Sequence, residues 1–81
     1  MNTAEQLLAG ANLLRTQSTK ESLSQAIAKY QEALTQFELA GDLRMKAIVL
    51  NMIGRSSFSL GEYQKAIDYH LQALAAGASR G

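Results

Sequence analysis

Histidine is the residue type best suited to acid–base work near neutrality, and this chain of 81 residues has one, His70, with no cysteine. For nucleophilic catalysis an imidazole needs a serine or carboxylate beside it, and helical spacing puts neither one turn from His70. One imidazole without thiolates cannot build a histidine- or cysteine-rich metal site. The carboxylates Glu5, Glu21, Glu32, Glu38, Asp42, Glu62 and Asp68 are scattered over different faces and caps, as solvated groups are. Gly54 and Gly61 serve packing and turning and form no phosphate-cradling loop. Neither an enzyme, a cofactor nor a metal is expected. The side chains left for recognition are Asn51 and Arg55, one helical turn apart, whose amide and guanidinium together can hold a carboxylate or a peptide backbone.

The elements that must position them read as helices throughout. Proline is absent, apolar residues recur three and four apart, and glycines fall mostly at predicted helix ends, which gives four helices and no strand. The first runs from about Thr3 to Gln17, with Thr3 as N-cap and Gln6 three residues on. Ser18 and Glu21 repeat that arrangement before the second helix. Its stripe is Leu23, Ala26, Ile27, Tyr30, Leu34 and Phe37. Gly41 supplies a left-handed residue and Asp42 a cap. The third helix, about Leu43 to Leu60, carries Met45, Ala47, Ile48, Val49, Leu50, Met52 and Ile53 around most of its circumference. It is therefore expected to be buried between the first hairpin and the last helix. Gly61 closes it. The fourth helix, about Glu62 to Ala76, is expected to bury Tyr63, Ala66, Ile67, His70 and Leu74, and the small polar tail 77–81 to fray.

Two of these helices carry the same face. AIAKYQEAL from Ala26 and AIDYHLQAL from Ala66 share Ala, Ile, Ala and Leu, and stand 40 residues apart. A fixed period of this length marks stacked helical hairpins. In the second copy Leu50, Ile53, Gly54, Ala66 and His70 fall on the spacing of the tetratricopeptide signature, and SLGEYQKAI from Ser59 is similar to that family's turn into its second helix. Ser57 stands at the signature's tyrosine, with Phe58 beside it, and Ala78 at its proline. The first copy places Leu7, Ala11 and Leu14 at matching positions, with a longer turn, TQSTKES. The chain thus resembles a pair of tetratricopeptide repeats of the long, roughly 40-residue type found in signalling scaffolds and kinesin light chains. The repeats span about 3–41 and about 42–76 of a single domain.

The resemblance implies an all-α solenoid of two stacked antiparallel hairpins that binds a peptide segment of a partner protein, as part of a larger scaffold. Its concave face would be lined by the first helix of each repeat, here through Leu8, Asn12, Ile48, Asn51, Met52 and Arg55. Asn51 and Arg55 resemble part of the family's clamp for terminal carboxylates, although Leu8 stands where that clamp has lysine. A second reading is structural: the open end of the last helix, Leu71, Ala73 and Leu74, lacks a following repeat and would support homo-oligomerisation. A three-helix domain of the microtubule-interacting and transport type shares the AIAKYQEAL style of face but gives Gly61 and a fourth helix no role. Gly54, inside a helix, is expected to let neighbouring axes approach with Ala66 and Ala73, so that a larger residue there costs about 1–3 kcal/mol.

Charge excludes other partners. The net charge of +1 comes from eight basic and seven acidic side chains without a run of either sign, which argues against nucleic acid. The longest apolar run, Ala47 to Leu50, is too short for a bilayer, and MNTAEQLL has no basic residue to open a signal peptide, so no membrane is expected and a cytoplasmic location is. A single core in a chain this short rarely supplies more than about 3–5 kcal/mol. Stacked repeats normally need three copies for stability, so either association or membership of a longer array is expected.

Overall fold

Helix α1 (Ala4–Gln17) begins where Thr3 accepts from the amide of Gln6 and the Gln6 side chain accepts in return from the amide of Thr3, the expected capping box. The computed structural model describes residues 3–78 and continues with α2 (Lys20–Ala40), α3 (Leu43–Ser59) and α4 (Tyr63–Ala78). Among the described residues there is no strand. The fourth helix is present, which the three-helix alternative had no use for. Gly41 at φ 70° sends its amide to Glu38, and the amide of Asp42 reaches Phe37. Asp42 then accepts from the amide of Met45 to start α3. Gly61 at φ 82° and Glu62 close α3 in the same way, onto the carbonyls of Phe58 and Ser57. These joints are local chemistry, and they fall where the sequence puts them.

The first joint differs from expectation. Thr19, not Ser18, caps α2, exchanging hydrogen bonds of 2.9 Å with Ser22. Ser18 instead ends α1 in the left-handed region at φ 59°, its amide returning to Arg15. Both hydroxyls fit a cap one residue apart, but a two-residue joint needs one residue to reverse the chain, and Ser18 takes that part. Glu21 is left exposed in the first turn of α2, where a negative charge suits the helix dipole.

Packing runs in chain order: α1 on α2, α2 on α3 and α3 on α4. The Cα atoms fill a slab of 38 × 32 × 14 Å. Two Cα cylinders of about 2.3 Å radius at 8–10 Å separation are about 13–15 Å deep, so the short dimension is two helices and the assembly is open, unlike a closed bundle. One core cluster joins Ala11 of α1, Ala26 and Tyr30 of α2, and Val49 and Ile53 of α3. A second joins Leu50 to Ala73 and Ala76 of α4. Alanines on the seams keep the helices close, and Ala66 is buried as expected.

Because the helices form a row and not a closed bundle, a middle helix keeps its outer edge open and a helix at the end of the row is covered mainly on one side, and this corrects two burial expectations. Helix α3 is not buried all round: Val49, Leu50 and Ile53 are, while Met45, Ala47 and Met52 are half-buried and Ile48 is exposed. On α4 the buried residues are Ala66, Ala73 and Ala76, with Tyr69 half-buried, and Tyr63, Ile67, His70 and Leu74 all lie exposed. Ser57, at the signature's tyrosine position, is buried, while Phe58 beside it is exposed and meets Tyr63 edge-on at 5.0 Å. Helix α4 also runs through Gly77 and Ala78 instead of fraying there, and the rest of the expected tail, 79–81, lies outside the described residues.

Candidate functional site

In each hairpin an asparagine of the first helix meets a ring of the second. The Tyr30 hydroxyl, buried in the first core, donates to Oδ1 of Asn12 and accepts from Nε of Arg15 at 3.2 Å. In the second hairpin Nδ1 of His70 lies 2.9 Å from Oδ1 of Asn51. The two pairs span 18 and 19 residues, but their asparagines are not equivalent: in the register that sets Leu7 and Ala11 on Leu50 and Gly54, Asn51 answers to Leu8. Tyr30 is enclosed because α1 and α3 flank α2, whereas His70 contacts α3 and stays exposed, facing the end of α1 only across an open hollow.

The imidazole explains Gly54. A Cβ at Gly54 would stand 2.8 Å from Cε1 and 2.9 Å from Nε2 of His70. The space left by the missing side chain is therefore filled by the His70 ring, a neighbour that the expectation of close approach against Ala66 and Ala73 did not name.

Two hollows meet at His70. The larger, about 690 Å³, runs along α4 between Ile67 and Ala78 and reaches Asn51; Leu71, Ala73 and Leu74, the expected self-association residues, all line it. Leu71 and Leu74 project as exposed side chains while Ala73 forms the floor. The smaller, about 360 Å³, lies at the carboxyl ends of α1 and α3, lined by Arg15, Thr16, Ser18, Arg55, Phe58, Ser59 and His70.

The six residues expected to face one groove are distributed. Leu8 and Met52 are half-buried against the first core, and Asn12 is engaged by Tyr30. Ile48 lines a separate hollow with Leu43, Arg44 and Ala76. Asn51 lines the α4 hollow and Arg55 the smaller one. What the sequence reading missed is Arg15, for which no repeat position gave a signal, since its place beside the hollow that Arg55 lines is set by how the hairpins pack.

The arrangement offers apolar surface and hydrogen-bond donors. Among the described residues no group of three or more His, Asp or Glu side chains is placed to hold a metal ion, and no helix is long and apolar enough to cross a membrane. Compared with protein-family models, curated proteins and solved structures, the chain matches none.

Proposed function

We propose that the chain is a non-catalytic protein-interaction module of tetratricopeptide type that binds a segment of a partner protein, within a larger scaffold or signalling protein. The supporting observation is one face in two surroundings. On α2, which lies between α1 and α3, the AIAKYQEAL face leaves Ile27 and Leu34 half-buried against the core. On α4 no helix among the described residues lies over the AIDYHLQAL face, and Ile67, Leu71 and Leu74 are 52%, 59% and 71% exposed. A helix covers the first face, so a helical segment with apolar residues three and four apart is the shape that complements the second. The test uses a labelled peptide of this chain's own α3 sequence, residues 43–58, as the probe. Saturable binding that weakens at least tenfold in Leu71→Glu supports the reading, and binding that Leu71→Glu leaves unchanged refutes it.

A second reading, self-association, rests on a separate feature. Leu13 on α1 is 65% exposed, and Ile67, Leu71 and Leu74 are exposed on α4 at the other end of the row. An α1 from a second copy, placed on α4, would cover both sets and stack copies head to tail. Such contacts are heterologous and propagate from copy to copy into rings or open filaments. Light scattering after size exclusion over a hundredfold concentration range tests it: mass that climbs past a dimer and collapses in Leu71→Glu supports stacking, and a constant monomer rejects it.

A further inference from the structure

We infer that the hollow at the carboxyl ends of α1 and α3 is an anion-binding site for a phosphate monoester on a side chain of the partner segment that docks along α4. This rests on the interaction reading above and names the chemistry of its ligand. Arg15 and Arg55 line this one hollow from different helices, and no carboxylate lines it with them. Among the described residues the ion pairs are Lys46 with Glu38 and Lys65 with Glu62, and neither arginine has an acidic partner. Two guanidiniums lining one hollow with no carboxylate among its walls give it a positive potential that an anion would offset.

The first guanidinium is positioned in advance. Nε of Arg15 donates to the Tyr30 hydroxyl, which Asn12 holds in turn, so the two terminal nitrogens remain for a ligand. Arg55 keeps all its donors. A carboxylate has two oxygens and one charge, whereas a phosphate monoester brings three terminal oxygens and a charge of about −1.5 to −2, the better match for two guanidiniums. The hydroxyl of Ser59 adds a neutral donor at the rim. The carboxyl ends of α1 and α3 oppose an anion, so the binding must come from the two guanidiniums, whose full charges outweigh partial dipole charges. His70 lines both hollows, so a segment lying on Leu71 and Leu74 passes directly to the arginines.

Nuclear magnetic resonance titration with inorganic phosphate, and with acetate, at constant ionic strength tests the site. Saturable amide shifts confined to residues 15–18 and 55–59, at least tenfold weaker for acetate and in Arg55→Gln, are expected. Arg55 is exposed and makes no described hydrogen bond, so that variant keeps its fold, which its spectrum reports. Shifts that Arg55→Gln leaves unchanged, or no saturation, overturn the site while the apolar docking reading stands. Loss of probe binding in Leu71→Glu with phosphate binding intact is the converse and reports on the apolar face alone. The α3-sequence probe extended to residue 59 and carrying phosphoserine there binds at least fivefold tighter than its unmodified form. Equal binding, or preference for vesicles containing phosphatidic acid, overturns the assignment to a phosphorylated protein segment.

Discussion

Replacing Gly54 by alanine asks what occupies the space beside α3. The added Cβ would lie 2.8–3.1 Å from three atoms of the His70 ring, with no backbone atom of α4 among its three nearest neighbours. The ring must leave, and because His70 is exposed on an uncovered helix it can turn outward about its own side-chain torsions. Leaving breaks the contact with Asn51, worth about 0.5–1.5 kcal/mol at most for an exposed hydrogen bond. Alanine in a helix interior returns about 1 kcal/mol relative to glycine. Gly54→Ala should therefore change stability by no more than about 0.5 kcal/mol. In a His70→Ala background, where no ring must move, the same substitution should stabilise by about 1 kcal/mol. Urea unfolding of the four proteins closes a double-mutant cycle with a coupling of about 1 kcal/mol. If Gly54 instead allowed the helix axes to approach, Gly54→Ala would cost about 1–3 kcal/mol whatever stands at position 70. A loss of that size in both backgrounds refutes the account, and so does strict additivity.

Other substitutions test the joints and the buried pair. Thr19→Ala removes the cap of α2 and should lower unfolding stability by about 1 kcal/mol. Ser18→Gly relieves a left-handed serine and should raise it by about 0.5–1 kcal/mol; the opposite pattern would return the cap to Ser18. Tyr30→Phe leaves Asn12 and Arg15 without their shared hydroxyl and should cost about 1 kcal/mol by urea unfolding, while no loss would mean that the two partners find water. Leu71→Glu should leave the thermal stability of the monomer within about 0.5 kcal/mol of the parent, because the residue is exposed on α4; a larger loss would place Leu71 in the core.

Sequence alone determined whatever depends on a few neighbouring residues. Thr3 with Gln6, Gly41 with Asp42, and Gly61 each act within one turn, so the joints could be read before any helix was placed. The period that repeats Ala26 at Ala66 likewise told that two hairpins were present. One joint, at Ser18 and Thr19, was ambiguous because adjacent hydroxyls satisfy the same local rule. Burial could not be read this way, because a stripe records which face is apolar and says nothing of whether another helix lies on it. Ala26 and Ala66 begin nearly identical faces, yet Tyr30 is enclosed and His70 is not, since α2 packs between α1 and α3 while α4 packs mainly on α3. Tertiary structure also decided that Gly54 houses an imidazole and that Arg15, Arg55 and His70 line one hollow. Those three come from three helices, and only the packing that stacks the hairpins brings their side chains to one place.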